Sequence, residues 1–355
     1  MARDDFSEDT KRRLAARAGN VCSMPGCGLA TSGPSEESSS ASANTGTAAH
    51  ICSASSGRGA RRYDPEQTSE QRSSIENGIW CCATHGRLID CDEVKYTVEQ
   101  LKIWKRIAEK KAEIRQFFQG VELDGSSQLF AIGMAPSTLR LERGAEYREL
   151  IADAISDCCV KAIWGKPTYD ALKDFLIECV RNVFDHTVST EVDVAFGKGS
   201  VKILYSSEPF DWEVLATPGA GRGGGEAYRA LLDVLRVNAI SACHDDRGIN
   251  TIYIPFANNS SELAEYNPCV IDLPRFELWM KLMEDDLGDE NLLKCNRLYV
   301  VAPKHVTYSD VPWAQEIIKM KRKLGKKITI FLPDASAKVA SYFEEHLDEV
   351  EVVAF

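Results

Sequence analysis

No apolar run in these 355 residues approaches the ~18–20 needed to cross a bilayer, so no membrane partner is expected. The N-terminal MARDDFSEDTKRR lacks the apolar stretch of a secretory leader, which makes the cytoplasm the expected compartment. Basic charge is in short supply: 42 Lys and Arg stand against 53 Asp and Glu, a net −11. A chain that wraps nucleic acid along its whole length is excluded, because phosphate contacts need Lys and Arg. No solenoid-type repeat is present. At 44% hydrophobic and 27% charged residues the chain is neither disordered nor fibrous, and its length suits two to three domains.

What charge there is divides unevenly. Residues 1–120 carry 17 Lys and Arg against 16 Asp and Glu, so the whole acidic excess lies downstream. A nucleic-acid surface therefore belongs at the N-terminal end. Cysteine is abundant, and six of the 12 precede residue 92: Cys22, Cys27, Cys52, Cys81, Cys82 and Cys91. Without an export signal, clustered Cys and His read as metal binding rather than disulfides. The other six are scattered and read as small buried hydrophobes.

Punctuation marks off the segments. Residues 7–20 form a short helix with Ser7 as N-cap, ending at Gly19-Asn20. Residues 31–47 are rich in Ser, Thr, Ala and Gly and read as a loop. Over 98–118, Leu101, Trp104, Ile107, Ala108, Ile114 and Phe117/Phe118 recur at helical spacing up to Gly120, where a domain boundary is placed. Helices are expected over 143–162 and 168–187, and strands over 190–196, 200–205 and 251–256. The glycine-rich PGAGRGGG (218–225) feeds another helix. The last ~65 residues alternate as βαβαβ, which implies a small parallel sheet.

One ordered set dominates the N-terminal part: CSMPGC (22–27), AAHI (48–51), NGIW (77–80) and CCATHGRLID (81–90). Cys22 and Cys27 form a C-x4-C pair, and Cys82 and His85 a C-x2-H pair. Two such pairs can close a tetrahedral structural Zn2+ site, with Cys81 close enough to compete. Such a site would staple a region poor in large apolar residues. Cys52 and Cys91, and Cys81 itself, are otherwise read as packing residues.

With His50 between the pairs and Asn77 just ahead of the second, the arrangement resembles the HNH nucleases over roughly residues 13–105, in particular a branch found in bacterial antiphage effectors. That resemblance implies a ββα-metal fold and metal-dependent hydrolysis of DNA. His50 would be the general base presented to water, Asn77 would orient the hairpin, and Asp90 would help hold Mg2+ or Mn2+. Ala49 stands where many members have Asp, and Gly86 where many have His; His85 serves either zinc or the third position, and its spacing favours zinc. Arg58, Arg61, Arg62 and Lys105 are the expected contacts to the DNA backbone.

Farther on, FLIECVRNVFDH places Glu178, Asn182 and His186 along one helical face. A glycine-rich loop opening a helix presents N–H groups to phosphates. Helix with E-x3-N, strand, glycine-rich loop, helix and G-x-x-T strand together resemble the GHKL ATPases over roughly 165–256. The resemblance implies Mg2+ at Asn182, a water-activating Glu178 and a phosphate lid of Gly221, Gly223, Gly224 and Gly225. The family's adenine-reading Asp-x-Gly-x-Gly box is replaced by SSEPFDW, which leaves Ser207, Glu208 or Asp211 for the base and implies nucleotide sensing rather than fast turnover. In the C-terminal unit, Lys304, His305, Asp310 and Asp334 lie near strand ends and read as ordinary loop residues.

The expected architecture is multidomain α+β. It comprises a zinc-stapled ββα-metal nuclease (1–120), a GHKL-like α/β sandwich (121–260) and a C-terminal βαβαβ unit for regulation or oligomerisation (261–355). The expected partners are double-stranded DNA, an ATP- or dATP-like nucleotide effector and further copies of the chain, as a dimer or higher oligomer. The rival readings are a zinc-module nucleic-acid-binding protein driven by a GHKL-type ATPase, and a catalytically dead sensor or scaffold.

Overall fold

A computed structural model describes residues 3–57, 59–117, 127–210, 223–272 and, apart from 293, 313, 316–318, 320–321, 323–324 and 348–349, residues 292–354. The protein is a mixed α+β chain of several sheets. It divides into two compact units, Met1–Ser137 with Ala152–Tyr169, and Thr138–Ile151 with Asp170–Phe355. Among the described residues, no helix is long and apolar enough to cross a membrane.

The first unit opens with α1 (Glu8–Arg17), whose N-cap Ser7 accepts a hydrogen bond from the Thr10 amide at 3.1 Å. Leu14 and Ala15 form its buried stripe. The Ser-rich segment, expected as a loop, contains two short paired strands, β1 (Ser32–Pro34) and β2 (Ser42–Asn44). Every residue of both is exposed, so backbone pairing forms them without the apolar alternation that marks a strand in sequence.

β3 (Gly46–His50) pairs antiparallel with β4 (Gly78–Cys82), His50 opposite Gly78 and Gly46 opposite Cys82. Between them come the single turn α2 (Ser69–Arg72) and a 3-10 turn at Ile75–Asn77; α3 (Ala83–Ile89) follows β4 without a break. The result is a strand–strand–helix unit. α4 (Val98–Phe117) turns Leu101, Trp104, Ile107 and Ile114 inward.

This core does not stop at the boundary expected near Gly120. α5 (Ser127–Phe130) brings Leu129 and Phe130 into the cluster that holds Trp104. The helix expected over 143–162 breaks into α6 (Tyr147–Asp157) and α7 (Val160–Trp164), with Cys159 between them at φ +66°. That left-handed residue ends one helix and lets Cys159 and Ile163 join the same cluster.

In the second unit, β5 (Ser137–Glu142) precedes the long α8 (Lys166–His186). β6 (Glu191–Phe196), β7 (Ser200–Ser206), α9 (Gly223–Val234), β8 (Ser241–His244) and β9 (Ile249–Pro255) complete a five-stranded sheet of order β5-β6-β7-β9-β8. Its β6–β7, β7–β9 and β8–β9 pairs are antiparallel. α8 buries Leu172, Phe175, Leu176, Cys179, Val180, Val183 and Phe184.

Next come α10 (Ser260–Tyr266) and β10 (Val270–Asp272), then β11 (Arg297–Val301), β12 (Lys327–Leu332), α11 (Ala337–His346) and β13 (Glu351–Ala354). These last four strands lie in chain order and are all parallel, as the βαβαβ pattern requires, with β10 an addition too short to read from sequence. The first helix of that alternation, over 313–325 (WAQEIIKMKRKLG), lies largely outside the described residues. Among the scattered cysteines, Cys158, Cys159 and Cys179 are buried as expected. Cys269 and Cys295, read as separate hydrophobes in a chain without disulfides, are instead joined by one, because folding brings two distant segments together.

One close approach fixes the β3–β4 pair. A Cβ on Gly46 would stand 2.1 Å from Cζ2 of Trp80, a buried ring whose indole N–H donates to Thr31 Oγ1 at 2.8 Å. Gly46→Ala is expected to destabilise the first unit by about 1–3 kcal/mol. Gly33→Ala, where a Cβ meets nothing within 4 Å, should stay within about 0.5 kcal/mol of the parent. Urea unfolding followed by tryptophan fluorescence compares the two.

Candidate metal centre and cleft

The segment after α1 is a tight knuckle. The Cys22 amide donates to Leu29 O at 3.0 Å and the Cys27 amide to Met24 O at 3.1 Å. Gly26 and Gly28 hold the left-handed φ values, +78° and +60°, that the double turn needs. Cys82 is the N-cap of α3, and His85 lies one turn into that helix. The donor atoms of Cys22, Cys27, Cys82 and His85 all lie within 4.8 Å of one another. His85 Nδ1 stands 3.2 Å from Cys82 Sγ and 3.4 Å from Cys22 Sγ. In a tetrahedral zinc site the sulfur–nitrogen edge is about 3.5 Å, so the quartet has the donor set and spacing to hold a metal such as zinc.

Electrostatics divide the first pair of the group. Cys22 is held well below the ordinary thiol value, chiefly by a hydrogen bond from Cys81. Cys27 is raised by burial. Cys81 is fully buried and its thiol is kept protonated, first by that bond to Cys22 and then by desolvation. It therefore supports Cys22 and stands outside the quartet. Cys52 packs in the core as expected, whereas Cys91 is exposed.

Beside the quartet lies a cleft of about 680 Å³ lined by Arg3, His50, Arg61, Arg62, Arg87 and Asp90, among others. Four guanidinium groups against one carboxylate give it a strongly positive lining. His50 is only 8% exposed, not the open imidazole expected from sequence. Its ring stacks on Phe6 at 3.8 Å between centroids, and Nε2 lies 3.2 Å from the Asp4 carbonyl. A carbonyl only accepts, so Nε2 carries the proton and Nδ1 keeps the lone pair. Burial depresses the His50 pKa, which leaves the ring neutral at pH 7. Asp90, at the C-cap of α3, is exposed and near enough to pull the other way.

Asn77 does not reach the cleft lining. Its Oδ1 accepts from the Cys52 amide at 2.8 Å, and its Nδ2 donates to Cys52 O at 2.8 Å and Arg72 O at 2.9 Å. It thus pins the backbone two residues after His50 and acts as a positioning residue.

The basic residues expected to meet DNA part company. Arg58 lies outside the described residues. Arg61 lines the cleft, 3.7 Å from Glu93. Arg62 is committed elsewhere: at φ +54° it donates to Ile51 O at 2.7 Å, Ile89 O at 2.9 Å and His50 O at 3.4 Å. Lys105 is 7% exposed and donates to Ile75 O, so a phosphate cannot reach it. Arg3 and Arg87 in the lining were not singled out from sequence. Arg87 lies two residues after His85 on the exposed side of α3, a position whose neighbours in sequence do not reveal the cleft. At Gly86 a Cβ would stand 2.3 Å from Thr47 Cγ2, so no larger side chain fits there without displacing β3.

In the second unit, Gly223, Gly224 and Gly225 form the first turn of α9. A Cβ on Gly223 would stand 2.7 Å from Glu178 Oε2, so this turn lies against the Glu178 carboxylate. Glu178 is itself paired with Arg181. Asn182 is half-buried on the same helix, and Gly221 and Asp211 lie outside the described residues. Ser207 O and Glu208 O accept from Asn250 Nδ2 at 2.9 and 3.2 Å. Asp310 closes a capping box with Thr307, while His305 and Asp334 take left-handed loop conformations.

The chain matches no known family model, and no curated protein matches it. Its chemistry is therefore read from the site alone.

If the quartet holds zinc, removing it is expected to unfold the strand–strand–helix unit, since structural zinc contributes about 10–16 kcal/mol of apparent binding free energy in small zinc modules. Cys27→Ser should carry one metal ion fewer than the parent by mass spectrometry of the metal. It should also lose the near-UV circular dichroism of its packed tryptophans, and a strong zinc chelator should reproduce that loss in the parent.

Proposed function

We propose that the first unit is a zinc-stapled, metal-dependent endonuclease of the HNH type acting on double-stranded DNA, with His50 as general base. The observation that carries this reading is His50 itself. It ends β3 of a strand–strand–helix unit, has one ring nitrogen held by a backbone carbonyl, and sits in the wall of a cleft lined by arginines.

The four-ligand quartet, with no position left for substrate, is a structural zinc site. Arg3, Arg61 and Arg87 attract the phosphodiester and bind its oxygens, Arg in the bidentate mode. Nδ1 of neutral His50 takes the proton from the attacking water, while the Asp4 carbonyl keeps the ring in its tautomer and orientation. Asn77 and Arg62 hold the strand end that carries His50. Asp90 is the carboxylate that would hold Mg2+ or Mn2+, a cation characteristically bound by one or two carboxylates together with substrate phosphate. When bound there, that ion supplies a charge sink for the phosphoryl oxygens and the departing oxygen.

The second unit is read as a nucleotide-sensing module. Its support is the first turn of α9 against Glu178, and the Glu178–Arg181 pair favours binding without rapid hydrolysis. An antiphage setting and assembly of several copies complete the proposal by resemblance.

A second reading rests on the stacking of His50 on Phe6: a zinc module that binds nucleic acid without cutting it. Plasmid nicking with Mg2+ or Mn2+, across a panel of ribo- and deoxyribonucleotides, separates the two. His50→Ala should lower the nicking rate about 10²–10⁴-fold with folding retained. Equal cutting by both proteins overturns the base assignment, and DNA binding without cutting in the parent establishes the second reading.

The pH profile has a definite sign. The base works only when neutral, and burial lowers its pKa from 6.5, so nicking should rise with pH with its midpoint below 6.5. A midpoint above pH 7 excludes His50 as the titrating group.

A further inference from the structure

Three cysteines from separate segments of the second unit meet at one place. Cys243 lies on β8, Cys269 just ahead of β10, and Cys295 just ahead of β11. Their sulfurs all lie within 4.8 Å of one another. Cys269 and Cys295 are bonded, and Cys243 Sγ stands 3.3 Å from each of them. The first two are fully buried, and Cys243 is half-buried.

The backbone holds this triangle firmly. Cys243 and Cys295 face each other across an isolated antiparallel bridge. The Asn296 amide donates to Ala242 O at 2.8 Å, and Asn296 Oδ1 accepts from the Ala242 amide at 2.9 Å. Asn267 Oδ1 accepts from the Cys269 amide at 3.0 Å and from the Ser241 hydroxyl at 2.8 Å, tying the remaining corner to β8.

A structural cross-link needs two cysteines, and the third has to be explained. Thiol–disulfide exchange requires the attacking sulfur to lie in line with the bond it breaks. Cys243 is equally distant from both sulfurs, so it lies broadside to that bond and in line with neither. What the arrangement does provide is three sulfur donors around a common centre, with the Cys243 corner only half-buried. All-sulfur donor sets select soft or borderline cations such as Cu(I) and Zn2+ over Mg2+ or Ca2+.

We propose that Cys243, Cys269 and Cys295 form a second metal site, one that takes a single thiophilic cation when the Cys269–Cys295 bond is reduced. A dithiol reductant supplies the two electrons and two protons that turn the bond into two thiols, and is itself oxidised to its disulfide. The entering cation then displaces the three thiol protons to solvent, and a water or added ligand completes a fourth position at the half-buried edge. The bonded form is the oxidised, metal-free state of the same site. No residue is shared with the N-terminal quartet or its cleft.

The test uses the full chain with Zn2+ as the probe. Protein reduced with a phosphine, or left oxidised with the Cys269–Cys295 bond verified by mass, is loaded anaerobically, freed of unbound metal and assayed for zinc. The expected result is two ions per reduced chain and one per oxidised chain. Reduced Cys243→Ser should hold one, at the N-terminal quartet. Reduced Cys22→Ser should also hold one, at the three-cysteine site, so loss of the quartet is distinguishable from loss of the new site. One ion in the reduced parent, or two in the oxidised parent, overturns the proposal, and so does a second ion retained by Cys243→Ser. Should that variant misfold, Cd2+ loading of the parent decides. Thiolate-to-metal charge-transfer absorbance should be about twofold larger in the reduced than in the oxidised chain, because six thiolates bind instead of three. Equal absorbance in the two states refutes the site.

Discussion

Convergence of Cys22, Cys27, Cys82 and His85 is the constraint on which the first unit depends. The two pairs are separated by a long stretch containing an exposed hairpin, a single helical turn and a 3-10 turn, none of which buries much apolar surface. Closing a loop of that length costs conformational entropy, which within the stretch only the β3–β4 pair and its buried Ile51, Ile79 and Trp80 offset. An ion held by the quartet would offset it further at one point. Because Cys82 is both the last residue of β4 and the N-cap of α3, that point also fixes where the strand ends and the helix begins. The β3–β4 register then carries this position along to His50 opposite Gly78.

Several polar side chains that look functional in the sequence are consumed in holding this framework. Arg62 spans the carbonyls of His50, Ile51 and Ile89, and thereby joins the end of β3 to the end of α3. Asn77 satisfies both backbone groups of Cys52. Lys105 carries its charge to the Ile75 carbonyl through apolar surroundings, and desolvation lowers its pKa accordingly. Each meets a buried backbone group that would otherwise lack a partner, which is costlier than leaving a surface charge unused. The cleft keeps its positive lining from arginines at the rim, while its histidine is neutral because it is mostly out of water.

The second unit treats cysteine differently. Cys158, Cys159 and Cys179 behave throughout the protein as small apolar groups, their thiols raised by burial. Cys243, Cys269 and Cys295 are buried among apolar side chains too, but an edge strand and two strand-entry points also bring their sulfurs together. The quartet and the triad thus reach sulfur clustering by different routes, the first through short local spacings and the second through sheet topology alone.

Those routes mark what each level of description decides. The C-x4-C and C-x2-H spacings, the Ser7 cap, the long α4 and α8 stripes and the alternating C-terminal segments rest on local periodicity and short-range stereochemistry. The sequence by itself therefore determined the metal quartet, most of the helices and the parallel order of the last strands. Only the tertiary structure decided that α5 and α7 belong to the first unit's core, that the ring of His50 lies on Phe6, and that Lys105 is buried while Arg87 lines the cleft. The physical reason is common to all of them. Burial and partner choice depend on which surfaces meet across long sequence separations, and a residue's type and near neighbours carry no record of that.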